Sequence, residues 1–252
     1  MGSPRRRVSA LLAVAVGVIA PGVALATSPA DSSIVNAVGG EMKPDLAGAH
    51  SHGVFDVAPS KDQNANGRAV RTVIVRLEHG FKLDTRAIGA RCSTSQARRF
   101  ACPSKSRIGS GTAQATKAGG SSVNLTLGLF MAPKPHSGDI AGVVAQIRGS
   151  GVRGVSKGTM VERHPVSPDF FAYQVSFGGL DRATGAHLQN VHIDLGGKRS
   201  VVGTRHGKRR RVTYHLITNP SICPDAWHFE IELDYADGAR HTGGGAMSCT
   251  ER

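Results

Sequence analysis

The chain has 252 residues, 31 Lys and Arg against 18 Asp and Glu, and a formal charge of +13. With 40% apolar residues it is not a disordered polyelectrolyte, and it is long enough to bury a substantial core. The basic balance suits anionic partners, and beyond the N-terminus no stretch is long and apolar enough to span a bilayer.

Residues 1–26 read as a secretory signal peptide. Arg5, Arg6 and Arg7 form a positive start, an apolar run follows, and Ala24 and Ala26 complete an A-x-A cleavage pattern. Both the general and the twin-arginine export routes are compatible with it. Residues 27–52, rich in small and polar types with no sustained period, are expected to form a flexible leader. A single β-sandwich domain is then expected over 53–252.

From residue 53 the period is two. "RTVIVRL" sets Val73, Val75 and Leu77 on one side, and "VNLTLGL" sets Val123, Leu125, Leu127 and Leu129 inward. "VVAQI" groups Val143, Ala145 and Ile147. "FAYQVSF" groups Phe171, Tyr173, Val175 and Phe177, and "VHIDL" groups Val191, Ile193 and Leu195. "WHFEIELDY" alternates most strictly, with Trp227, Phe229, Ile231, Leu233 and Tyr235 opposite His228, Glu230, Glu232 and Asp234. Such alternation marks half-buried antiparallel strands. Helix signals are confined to "STSQARRFA", where Ser93 or Thr94 can cap a turn or two. The predicted class is all-β: an antiparallel β-sandwich with one short helix and two disulfides.

An even number of cysteines in an exported chain predicts disulfides. Cys92, Cys102, Cys223 and Cys249 allow three connectivities, of which sequence spacing favours Cys92–Cys102 with Cys223–Cys249. Asp237-Gly238 reads as a two-residue hairpin turn placing Ala236 opposite Ala239, so that Cys223 and Cys249 meet near the open end of that hairpin. The chain-entropy model assigns about 3–4 kcal/mol to the second bridge and about 3 kcal/mol to the first.

Two stretches carry a further signal. "ACPSKSRIGSGTAQA" leading into "LTLGLF", and the terminal "CPDAWHFEIELDYADGARHTGGGAMSC", resemble a family of exported β-rich proteins from actinobacteria. The shared features are Cys102-Pro103, Ile108 to Thr112, Cys223-Pro224, Trp227, Asp237-Gly238 and Cys249, and the resemblance spans roughly residues 69 to 249. It implies export and a β-rich domain, and it implies no particular activity. The basic "HGKRRR" is not required by the family pattern.

Most catalytic chemistries find little to stand on. Gly109-Ser110-Gly111 lacks the Lys-Ser/Thr of a phosphate loop and leads into a strand, so a turn or bulge is expected there. Cys92 and Cys102 are too far apart for a Cys-x-x-Cys redox pair. His192 and Asp194 project together, and His228 or His215 can join them, but no metal motif supports a site. The best candidate is an anion-binding tip at "RHGKRRR", with Arg205, Lys208, Arg209, Arg210 and Arg211 in a hairpin between "SVVG" and "VTYHLI".

The sequence therefore predicts an exported, monomeric, non-enzymatic module without cofactor, metal or catalytic residues, secreted or associated with the cell envelope. Its expected partner is an anionic envelope polymer, lipid head groups or another protein, and no nucleic acid. The alternative is an envelope glycan- or ester-active hydrolase whose site is assembled from strand carboxylates and histidine, using Glu230, Glu232 or His192.

Overall fold

A computed structural model describes residues 37–58, 68–163, 171–205 and 208–252. The signal peptide 1–26, the leader up to residue 36 and the "HPVSPD" turn lie outside the described residues. Strands β1 to β8 are Ala37–Lys43, His50–Ala58, Val70–Glu78, Lys82–Leu83, Arg107–Lys117, Ser122–Ala132, Ala141–Gly149 and Val152–Glu162. Strands β9 to β15 are Phe171–Gly178, Ala186–Leu195, Lys198–Arg205, Lys208–His215, Ile217–Thr218, Ala226–Tyr235 and Arg240–Ser248. Two short α-helices, α1 (Thr94–Arg98) and α2 (Leu180–Thr184), complete the regular structure with two single 3-10 turns.

Every pairing between named strands is antiparallel. One 13-stranded sheet runs β15-β14-β3-β9-β8-β7-β6-β5-β10-β2-β13-β4, with β1 on β2. It folds over on itself around one core. Phe55 of β2 meets Phe229 of β14 edge-on at 5.6 Å, although the two strands are far apart along the sheet. β1 returns beside β15, and just past them the Ala47 N–H donates to the Thr250 carbonyl (2.9 Å) and the Thr250 N–H to that of Asp45 (2.9 Å). The all-β sandwich is thus built from a single curled sheet with few unprotected edges.

The alternating side chains do what their period predicts. Trp227, Phe229, Ile231, Leu233 and Tyr235 are all fully buried, and Val73, Val75, Leu77, Val191, Ile193 and Leu195 are buried. A buried Leu or Phe contributes about 1.5–3 kcal/mol by leaving water. Burial also pushes the Tyr235 phenol up to about 12.

Four expectations are corrected. The leader does not extend to residue 52, because β1 and the start of β2 fall inside it. β1 was illegible because Met42 is the one large buried side chain among those described in it, and at Gly40 a Cβ would sit 2.4 Å from the Phe229 ring. There are two short helices, not one. α2 is bracketed by Gly179 (φ +70°) and Gly185 (φ +58°), both left-handed, which glycine adopts without penalty. Of the turn or bulge expected at Gly109-Ser110-Gly111, the turn is absent and the bulge is present: the segment lies within β5, with a register shift between Arg107 and Gly109. Its glycines serve close approach, since a Cβ at Gly109 would lie 2.3 Å from the Asp194 carbonyl oxygen. Finally, the last hairpin pairs Tyr235 with Ala239 and leaves a three-residue loop. Gly238 takes φ +89° and Asp237 accepts from the Ala239 N–H, the arrangement of a turn closed by a glycine bulge.

Both predicted disulfides are present. Cys92–Cys102 holds α1 over the outer face of β6 and β7, where Cys92, Ala97, Phe130, Ala132 and Val144 make a second small core. That cover buries Gln146, which alternates with the inward Ala145 and Ile147, and its amide donates to the Ala97 carbonyl (3.0 Å). The Ser93–Gln96 capping box starts α1.

Candidate functional site

After β10 the chain leaves the main sheet. Gly196 and Gly197 pass where no side chain fits: a Cβ would lie 2.6 Å from His52 Cβ at the first and 2.7 Å from Ile88 Cδ1 at the second. The sequence that follows has no alternating apolar set to bury. β11 and β12 accordingly pair only with each other, as a separate two-stranded ribbon in register Lys198↔His215 to Arg205↔Lys208. The ribbon is braced at its base, where the Arg86 guanidinium lies over the Tyr214 ring (4.8 Å) and is fixed to Asp84 (2.7 Å). The Asp84 carboxyl is held below its ordinary range, first by its hydrogen bond from Arg86.

Arg209, Arg210 and Arg211 are exposed, and none has a carboxylate partner among the described residues. Strand geometry divides them. Arg209 and Arg211 share a face with Val202, Thr213, Ser200, His215 and Lys198, while Arg210 lies on the other. Arg205 and Lys208 form the last backbone pair, and their side chains lie outside the described residues.

At the root of the ribbon a groove of about 650 Å³ opens. Lys43, Arg107 and Lys198 line it together with His50, His52 and His215, and among the described residues Asp194 is the one carboxylate in its wall. His50 and His215 are stacked, 4.2 Å between ring centres and 2° from parallel. Nδ1 of His50 is 2.9 Å from the Thr218 hydroxyl. Burial, then the proximity of His50 and Lys198, holds the His215 imidazole below its ordinary value. Buried Asn219 secures the wall, its amide donating to the Pro44 (2.9 Å) and Leu46 (3.0 Å) carbonyls.

The groups expected to serve a metal or a hydrolase are not gathered in one place. His192 lies beside Asp56 (2.7 Å) on an open sheet face, and His228 beside Glu78 (3.2 Å). Asp194 is in the groove wall, and His215 is stacked on His50. Among the described residues no three His, Cys, Asp or Glu are placed to hold a metal ion. Glu230, Glu232 and Asp234 do share one face, but guanidinium groups engage them. Arg76 binds Glu230 and Glu232 (2.7 Å to the latter), and Arg240 binds Glu232 (2.9 Å) and Asp234 (2.8 Å). Burial opposes the charge on Arg76, yet its hydrogen bonds to Glu232 and Glu230 prevail and its pKa is raised.

Sequence reasoning missed the groove because His50 and His52 fell in the expected leader. A signal was available: in "HSHGVFDV" Phe55 and Val57 alternate with outward His52, Val54 and Asp56. It also missed Phe100, whose φ of 57° places its ring beneath Arg148 (4.8 Å) and Arg153 (4.4 Å). No helix among the described residues is long and apolar enough to cross a membrane. Comparisons with protein-family models, with curated proteins and with solved structures find no match.

Proposed function

We propose that the protein is an exported, disulfide-braced binding module that attaches to an anionic polymer of the cell envelope through the β11–β12 ribbon, without making or breaking bonds. The observation that carries this reading is the ribbon itself: a strand pair set off from the sheet, with Arg209, Arg210 and Arg211 exposed and uncompensated. Two disulfides and the A-x-A pattern at Ala24 and Ala26 support export. The carboxylate row gives the hydrolase reading less support, since each of its three members is bound to an arginine.

Arginine at an exposed ribbon binds phosphate-rich polymer by charge-assisted hydrogen bonds and long-range attraction, so the interaction must weaken with salt. The test is cosedimentation of the protein with a phosphate-rich wall polymer and with a neutral polysaccharide. Binding is expected to the first alone and to fall steeply between about 50 mM and about 500 mM salt, as the Debye length shrinks. Arg209→Ala/Arg210→Ala/Arg211→Ala is expected to weaken it by about tenfold or more. Binding that ignores both salt and the triple substitution would overturn the reading. Capture by anionic vesicles with no binding to wall polymer would overturn its choice of partner.

A further inference from the structure

We propose that the groove at the ribbon root is a binding site for a phosphate group, gripped by Arg107, Lys198 and the stacked His50–His215 pair. It uses residues other than the ribbon tip and stands or fails independently of the polymer-binding reading.

The topology concentrates positive charge here from separate parts of the chain. Lys43 ends β1, His50 and His52 begin β2, Arg107 begins β5, Lys198 begins β11 and His215 ends β12. Against these stands Asp194. Lys43 is partly answered by Glu41 (2.9 Å), whereas Arg107 and Lys198 have no carboxylate partner among the described residues. Arg107 spends only its Nε–H, on the Gly109 carbonyl (3.1 Å), so both terminal nitrogens remain for a ligand. Gly109, Gly196 and Gly197 complete the lining without side chains of their own. The volume, about 650 Å³, lies within the usual range of ligand sites. It holds a phosphate together with the group that carries it.

The imidazole pair fits an anion better than an empty site. Two imidazolium rings 4.2 Å apart repel by about 1–4 kcal/mol at effective dielectric constants between those of water and a protein surface. Around the pair lie Lys43 from β1, His52 from β2, Lys82 from β4 opposite Thr218, Arg107 from β5, Asp194 from β10 and Lys198 from β11. Cations predominate, so double protonation is disfavoured until an anion enters. A bound phosphate supplies the missing negative charge, and the second ring takes its proton from solvent. Anion binding then consumes about one proton, and affinity rises as pH falls, by up to ~10-fold per pH unit.

The test separates this uptake from the titration of phosphate by using sulfate, whose charge is constant over the range. In the full protein, sulfate is expected to shift the His50 and His215 imidazole resonances and to bind at least ~10-fold more tightly at about pH 5.5 than at about pH 7.5. His50→Asn/His215→Asn is expected to reduce that ratio to about 2-fold or less, and Lys198→Ala to weaken binding at both pH values. Arg71→Ala, at an exposed position of β3 outside both the ribbon and the groove, should leave the sulfate-induced shift of the His50 and His215 resonances unchanged. Inorganic polyphosphate and vesicles of phosphatidylglycerol in phosphatidylcholine distinguish a soluble from a lipid phosphate, by which of the two Lys198→Ala releases. Histidine resonances that do not move in the unmodified protein, or a pH ratio that survives both Asn substitutions, would overturn the proposal.

Discussion

Replacing Arg76 with Met tests whether the carboxylate face is a structural clamp. Arg76 sits in the middle of β3 with Gln174 of β9 on one side and Glu230 of β14 directly opposite on the other. Its two terminal nitrogens go to Glu230 and Glu232. The side chains of Arg76 and Glu232 are 13% and 7% exposed, which places the pair near the buried limit, where losing one partner costs about 3–5 kcal/mol. Arg240 still holds Glu232 after the change, and Glu230 is 27% exposed and can find water, so the expected loss is about 2 kcal/mol. Urea unfolding with an m-value of about 2–3 kcal/mol/M would show the midpoint falling by about 0.7–1 M. In Arg76→Met/Glu232→Met both charges go, the hydrophobic pair fills the space, and most of the stability returns, giving a coupling energy of about 1 kcal/mol or more. A single-variant loss under about 0.5 kcal/mol, or strict additivity in the double variant, would refute the clamp and leave these carboxylates free for chemistry.

At Gly158 a Cβ would lie 1.6 Å from the Ser176 carbonyl oxygen of the neighbouring strand. Gly158→Ala is therefore expected to force β8 from β9 and cost about 2–3 kcal/mol or more in thermal or urea unfolding. Gly138→Ala, with nothing within 4 Å, should stay within about 0.5 kcal/mol of the parent, and equal effects at the two sites would refute the packing argument. Tyr235, its pKa pushed to about 12 by burial, should keep its phenol protonated well past the ordinary value of 10.0. Because the folded value is the higher one, its stabilising contribution is complete below about pH 10 and is lost as pH rises toward about 12. Ultraviolet titration should show Tyr235→Phe removing the ionisation at highest pH. An unchanged titration curve would contradict that burial.

The legible parts of the fold were those where local pattern and burial coincide. In β14 every second residue is apolar and all five of those are buried, so period two was sufficient. β1 offered no such pattern, because its middle is two glycines, of which Gly40 leaves room for the Phe229 ring. α2 was hidden because five residues are too few for a helical period, and its glycine caps resemble ordinary turn residues. β7 was half legible: Val143, Ala145 and Ile147 face the main core as read, but Val144 and Gln146 are covered by the disulfide loop from outside. A strand pattern reports one buried face and carries no information about a loop that arrives later to cover the other.

The candidate site divides in the same way. The basic run at 205–211 was visible because like charges adjacent in sequence need no fold to be noticed. The fold then separated them, turning Arg209 and Arg211 toward one face and Arg210 toward the other. The groove had no such signature, because its cations and imidazoles come from residues 43, 50, 52, 107, 198 and 215.

By itself the sequence determined the class of structure, the inward set of most long strands and the two disulfides. Those follow from side-chain alternation and from cysteine spacing, which are local quantities. Only the tertiary structure decided that the sheet curls until β1 reaches β15, that arginines occupy the carboxylate row, and that His50 lies flat against His215. These depend on strand order, and strand order is set by which buried surfaces fit together across the core rather than by neighbours along the chain.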